Sequence, residues 1–152
     1  MYTMLLVLHS AFRWLVVFSL LLSLYRSYRG YWGNRPFTRT EDRIRHWTAT
    51  IAHVQLMIGM VLYFQSPLIK AFLQDVGSSR ESFALLFFGM IHSTLMLAAI
   101  VLVTIGSALA KRKPTDRLKF KTMLVWYTVA AIVILIAIPW PFSPFAARPY
   151  FR

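Results

Sequence analysis

The sequence FALLFFGMIHSTLMLAAIVLVTIGSALA, residues Phe83–Ala110, contains no charged side chain over its 28 residues. A helix of this length is long enough to cross the hydrocarbon core of a bilayer, because it rises about 1.5 Å per residue. It carries one titratable side chain, His92. Because a titratable ring is costly in hydrocarbon, His92 is a candidate functional residue.

His92 lies on a helix face that is rich in small residues. Steps of three and four residues place it in a stripe with Gly89, Met96, Ala99, Val103 and Gly106. A stripe of small residues leaves a hollow, which receives either a neighbouring helix or a flat cofactor such as haem. The stripe alone does not decide between the two.

The whole chain has the composition of an integral membrane protein, since 58% of its 152 residues are hydrophobic. The apolar stretches predict an all-α, integral membrane four-helix bundle that forms one domain over residues 1–152. The expected spans are about 2–24, 44–65, 83–110 and 123–138.

The residue types that are missing exclude several kinds of site. The chain has no cysteine, which excludes disulfides, thiolate metal sites, iron–sulfur clusters and covalent c-type haem. All five acidic residues fall in loops or at span edges. No buried pair of carboxylates is therefore expected for acid–base chemistry.

The net charge of +12 comes from Lys and Arg residues between the spans. This distribution indicates topology signals and contacts with anionic membrane lipid, and no nucleic-acid partner is expected. Residues 25–46 and 111–121 carry six basic residues each, while 66–82 and 139–152 carry two each and none precedes the first span. The positive-inside rule then places both termini outside and the two basic loops in the cytoplasm.

Local signals predict features at the ends of the spans. Thr40 is expected to cap the second span, and Ser79 or Ser82 the third. A short interfacial helix is expected at 67–75. The tail 139–152, rich in proline and aromatic residues, is expected to form an interfacial cap on the membrane surface.

Three histidines are predicted at similar depths in the membrane. Counted from the outer ends of their spans, His9 lies roughly 10 Å deep, His92 roughly 13 Å and His53 roughly 18 Å. His46 belongs to the cytoplasmic edge. Three intramembrane histidines on three of four helices favour a metal or haem site, and the alternative is that each bonds across a helix pair.

Haem suits this set better than a bare metal ion, because no carboxylate or thiolate is available beside the histidines. In an up-down bundle the first and third helices are diagonal, and the diagonal leaves room for imidazole–iron–imidazole. His9 and His92 are therefore the expected ligands of the haem iron. His53 is an alternative ligand, a neighbour that tunes the iron or a quinone-site group. A copper ion held by histidine with Met96 or Met57 is a further alternative.

Arg13 lies one helical turn after His9, near the middle of the first span. An arginine at this depth is expensive unless it faces the bundle interior and finds a partner. We expect it to hold a haem propionate or a quinone oxygen through charge-assisted hydrogen bonds. The alternative is an arginine whose guanidinium reaches the headgroups.

Four segments resemble a family of small four-span membrane proteins of Bacteroidetes-type bacteria that are labelled "cytochrome b". The segments are LLVLHSAFRW, AHVQLMIGMVLYFQSP, GMIHSTLML and the terminal IPWPF. The matching positions are His9, Arg13, Trp14, His53, His92 and the IPWP stretch at 138–141. The last span lacks the histidine of the bacterial di-haem cytochromes b, so one haem is expected and not two.

The resemblance implies a multi-pass protein of the bacterial inner membrane with one non-covalent haem b. Such a protein passes electrons between quinol and a partner, either by itself or as a subunit of a quinone-linked oxidoreductase. Its expected partners are other membrane redox subunits or further copies of the chain. The alternative is a haem-free structural or accessory subunit of a larger membrane complex.

The charge count gives a topological prediction. Reporter fusions after Lys113 and within residues 30–40 should report a cytoplasmic location, and a C-terminal fusion a periplasmic one. Paired alkaline phosphatase and fluorescent-protein fusions measure this. A periplasmic signal from residues 111–121 would reverse the orientation and the depths assigned to the histidines.

Overall fold

The computed structural model describes residues 1–77 and 82–142, which are almost entirely helical. Four of their helices are long and apolar enough to cross a membrane. They run over Tyr2–Trp32, Arg39–Gln65, Phe83–Arg112 and Asp116–Ala137, and are named the first to fourth spans. The predicted all-α, four-span membrane bundle is confirmed.

The spans form an up-down bundle of four neighbours. The first span packs against the second and the fourth, and the third packs against the fourth and, less extensively, the second. The first and third spans are therefore diagonal, as predicted. The core between them contains the fully buried side chains of Tyr127, Val103 and Ala99.

The predicted short helix between the second and third spans is confirmed at Pro67–Gln74. Its Phe72 ring is buried and lies where a Cβ on Gly89 would be, at 2.4 Å. The helix thus closes one side of the bundle, at the end where both described chain termini lie.

The loop expected at 25–46 is mostly helical, because the first span continues to Trp32 and the second begins at Arg39. Ser23, Ser27 and Gly30 give the first span a buried small-residue face beyond its apolar part, while Tyr25, Tyr28 and Arg29 are exposed. This part of the first span therefore packs against its neighbours although its sequence is not continuously apolar. The connection shrinks to residues 33–38.

The cap of the second span is Thr38, and the expected cap Thr40 was wrong. Thr38 Oγ1 accepts a hydrogen bond from the amide of Thr40 at 3.2 Å. Glu41 returns to the Thr38 amide at 3.1 Å, which completes a capping box. Thr38 is the cap because Glu41, three residues later, supplies the glutamate that a capping box requires.

The fourth span begins at Asp116, seven residues before the predicted start at 123, whereas its end at Ala137 and the start of the third span at Phe83 lie close to the predictions. The third connection shortens to residues 113–115, and Thr115 caps the fourth span. The third span begins after Ser82, whose side chain makes no capping bond, and Ser79 lies outside the described residues. Of the expected cap at 139–152 only the first four residues are described, and there the Trp140 indole donates to the Leu135 carbonyl oxygen at 2.8 Å.

Arg45, where the predicted loop 25–46 overlaps the predicted span 44–65, is buried and joins three spans at the basic end of the bundle. Arg45 is only 5% exposed. Its guanidinium pairs with Asp42 and donates to the Ser107 carbonyl oxygen at 3.1 Å. The Tyr127 hydroxyl donates to the Arg45 carbonyl oxygen at 3.2 Å. Every part of this arginine is therefore satisfied inside the bundle.

Removing the Arg45 guanidinium should weaken the bundle. Arg45→Met leaves the buried Ser107 groups without their donor, which should cost about 1–3 kcal/mol. Unfolding in detergent, followed by circular dichroism, measures the change. The control Arg43→Met, at an exposed position of the same helix, should stay within about 0.5 kcal/mol of wild type. Equal losses for both variants would show that the Arg45 bonds add no stability.

Candidate functional site

The structure brings His9 and His92 together across the diagonal of the bundle. Their ring centroids are 6.4 Å apart, and the two ring planes are inclined by 66°. His9 comes from the first span and His92 from the third. Two of the three intramembrane histidines thus lie at one level, with their rings adjacent.

His92 is fixed by a bond to the backbone. Its Nδ1 lies 2.8 Å from the carbonyl oxygen of Ala137, at the end of the fourth span. Because a carbonyl only accepts, Nδ1 carries the proton and Nε2 keeps a lone pair. The imidazole is thereby oriented for ligation through Nε2.

A π-helical turn, Phe87–Ile91, immediately precedes His92. Such turns insert an extra residue into a helix and occur frequently at functional sites. The rings of Phe87 and Phe88 lie 5.9 and 6.1 Å from that of His92. The turn therefore sets the rotation of His92 among aromatic neighbours, and nothing in the sequence pattern predicted it.

His9 is held from the second span. The Gln55 side-chain amide donates to the His9 carbonyl oxygen at 3.0 Å. A Cβ on Gly59 would lie 3.3 Å from His9 Cε1, so this glycine leaves the space for the ring. Gln55 and Gly59 together determine how the first and second spans meet beside the site.

Two polar atoms here are buried without a hydrogen-bond partner in the described part of the chain: His9 Nδ1 and Gln55 Oε1. Leaving such a group unpaired costs about 1–3 kcal/mol. Buried unsatisfied atoms therefore indicate a position where a ligand or water completes the bonding. Both atoms belong to residues that line the same cavity.

The cavity has a volume of about 230 Å³ and lies between the spans and the short helix. It reaches from the histidine pair toward the end of the bundle that holds Tyr2 and Ser66. A cavity of about 150 Å³ holds one benzene ring. The space thus accommodates one substituted ring as it stands.

Arg13 lines this cavity, which agrees with the expectation that it faces the interior and not the lipid. Its guanidinium carbon lies 5.5 Å from the centre of the Trp14 ring, which meets Trp140 edge to face at 5.8 Å. The IPWP segment thereby supports the tryptophan beside the arginine. A positive charge stands at the cavity wall, one turn from His9.

The structure does not bring His53 to the pair. His53 is exposed on the outside of the bundle, and its Nε2 lies 3.1 Å from the hydroxyl of Thr104. Gln55, two residues later and so rotated by about 200°, faces inward instead. His46 is also exposed, at the basic end. The predicted depths of the histidines in the membrane could not show which of them faces the interior of the bundle.

Part of the small-residue stripe serves helix packing. A Cβ on Gly89 would lie 2.4 Å from the Phe72 ring, and one on Gly106 would lie 2.4 Å from Cβ of Trp126. Side chains therefore fill the hollow above and below His92. The room for a ligand lies toward the second span, where Gln55 and Gly59 line the cavity.

The donor set is limited to two imidazoles. Among residues 1–77 and 82–142 no group of three or more His, Asp or Glu side chains is placed to hold a metal ion. Met96 lines the cavity, whereas Met57 is 69% exposed on the outer surface. Of the two methionines considered as copper ligands, Met96 therefore lies beside the histidine pair and Met57 does not.

No protein-family model, curated protein or solved structure matches this chain.

The position of Arg13 predicts its sensitivity to substitution. Arg13→Leu should reduce the yield of folded protein and its cofactor content severalfold, because it removes the charge from the cavity wall. Arg39→Leu, at an exposed position at the start of the second span, is the control and should change neither. Size-exclusion profiles and cofactor absorbance measure both. Equal behaviour of the two variants would place the guanidinium at the headgroups.

Proposed function

We propose that this protein is a small b-type cytochrome subunit in which His9 and His92 hold one non-covalent haem. The observation that carries the proposal is the 6.4 Å separation of the two imidazole centroids. A metal ion between two imidazole nitrogens, each about 2 Å away, separates the ring centroids by about 6 Å. Two histidines at this spacing suit a six-coordinate haem iron.

The bonding around the pair supports the same assignment. Metal-bound histidines usually donate their other N–H to a carbonyl or carboxylate, which fixes the ring and raises its basicity. The bond from His92 Nδ1 to Ala137 has this form. A bound haem supplies one-electron chemistry, while the chain orients the ligands and keeps water out.

Polar side chains line part of the cavity wall. Arg13 and Gln55 line it, and both can donate hydrogen bonds to haem propionates or to the carbonyl oxygens of a quinone. A quinone ring fits the present volume, whereas a porphyrin is several times larger than a single ring. Haem would therefore fit only if the bundle widened, and the second and third spans are the neighbours with the least extensive packing.

The assigned position implies partners and a location. With the orientation given by the charge count, the histidine pair lies in the outer half of the bacterial inner membrane. One haem there cannot carry electrons across the membrane alone. Electron transfer from quinol thus requires another membrane redox subunit or a second copy of this chain. The identity of that partner determines whether the assembly is a quinone-linked oxidoreductase.

A haem-free structural subunit is the second candidate, and one observation favours it. Gly89 and Gly106 are closed by the side chains of Phe72 and Trp126, as in ordinary helix packing. In that case the histidine pair and Arg13 serve assembly within a larger complex.

Reduced-minus-oxidised absorbance spectra of the purified protein distinguish the two. His9→Ala and His92→Ala should each abolish a low-spin haem spectrum, because each removes one axial ligand. His46→Ala and His53→Ala are the controls and should retain it, since both side chains face away from the cavity. A wild-type protein without haem, after expression with haem supplied, would favour the structural subunit. Loss of haem in His53→Ala but not in His9→Ala would contradict the assigned ligand pair.

A further inference from the structure

A second cavity, remote from the histidines, lies at the basic end of the bundle. It has a volume of about 210 Å³ and is enclosed by the end of the first span, the 33–38 connection and the fourth span. Its walls include Arg26, Arg29, Arg35, Pro36, Glu41 and Phe120. We propose that this cavity, named the arginine pocket, binds a phosphate group.

The arginine pocket contains more positive than negative charge. Three guanidinium groups meet one carboxylate, and Glu41 is already committed to Arg26 and to the amide and hydroxyl of Thr38. Within residues 1–77 and 82–142 neither Arg29 nor Arg35 forms a salt bridge. The pocket thus keeps two positive charges that no carboxylate of the described chain neutralises.

The chemistry of these charges favours phosphate. Guanidinium groups are planar forks that bind phosphate oxygens bidentately. Arg29 is held by the Tyr25 hydroxyl at 2.9 Å, with its guanidinium carbon 5.5 Å from that ring's centre. One fork is therefore already oriented by a neighbour, which lowers the entropy lost when an oxyanion binds.

The floor of the pocket is closely packed. Gly30 is buried, and a Cβ there would lie 2.4 Å from the Phe120 ring. Phe120 meets Phe37 at 5.0 Å between centroids, and Lys119 lies 5.3 Å from the centre of the Phe37 ring. The connection is thus packed against the fourth span through Phe37 and Phe120.

The depth of the pocket matches the headgroup layer. The hydrocarbon core takes about 20 helical residues, and the first span has 31. Arg26 and Arg29 lie beyond that length, among exposed Tyr25, Tyr28 and Trp32 of the kind that mark membrane interfaces. The phosphate could come from an anionic phospholipid headgroup or from a soluble phosphate, and binding distinguishes them.

Native mass spectrometry of the protein in neutral detergent tests the pocket. Wild type should retain phosphatidylglycerol in preference to phosphatidylcholine. The double variant R29Q/R35Q should retain about tenfold less phosphatidylglycerol, because it removes the two guanidinium groups of the pocket that have no carboxylate partner among the described residues. The control R43Q/R112Q removes two exposed arginines at the same end of the bundle and should retain the lipid.

Further arms separate the outcomes. The charge-preserving R29K/R35K should bind more weakly than wild type, because lysine lacks the bidentate fork. Titration with inorganic phosphate, followed by ³¹P NMR, identifies the source of the phosphate group. Phosphate binding at millimolar concentration in wild type but not in R29Q/R35Q assigns a soluble phosphate. Lipid retention that depends on Arg29 and Arg35, without binding of inorganic phosphate, assigns the lipid headgroup. Equal lipid retention in R29Q/R35Q, R29K/R35K and wild type, without phosphate binding, would overturn the proposal. Haem content is not involved, so this result is independent of the cytochrome proposal.

Discussion

The structure depends on one constraint: inside a membrane, every polar group must find its partner within the bundle. The chain places polar side chains at two levels of a mostly apolar interior. At the basic end they are Arg45, Ser107 and the Ser23–Thr48 pair, whose hydroxyl oxygens lie 2.7 Å apart. At the other end they are the histidines and Gln55. Each level joins spans that apolar packing alone would leave free to slide.

The two levels differ in how fully they are satisfied. Arg45 bonds to Asp42 and to Ser107, and its own carbonyl oxygen accepts a hydrogen bond from Tyr127. These bonds hold the second, third and fourth spans together. At the histidine level, His9 Nδ1 and Gln55 Oε1 are buried without a partner in the described residues, beside a cavity. At the basic end the Ser27 hydroxyl oxygen is also buried without a partner in the described residues, but only the unpartnered atoms at the histidine level adjoin the cavity in which we propose that a ligand binds.

Small residues have two uses in this fold. Gly106 and Gly89 let aromatic side chains approach the third span, which is helix packing of the usual kind in membranes. Gly59 makes room for the His9 ring and so shapes the cavity. The same residue type thus serves packing on one face and the site on another, and only the identity of the neighbour separates the two.

The sequence by itself determined four apolar spans and similar depths for His9 and His92, because span length and helical rise are local properties, while the diagonal position of the first and third spans followed only for an up-down bundle. Tertiary structure decided which way His53 faces, that Arg45 is buried, and that a π-helical turn rotates His92 toward Ala137. It also decided that the polar segments beside residues 33–38 are helical. These outcomes depend on which helix face meets a neighbour, and periodicity cannot specify a neighbour.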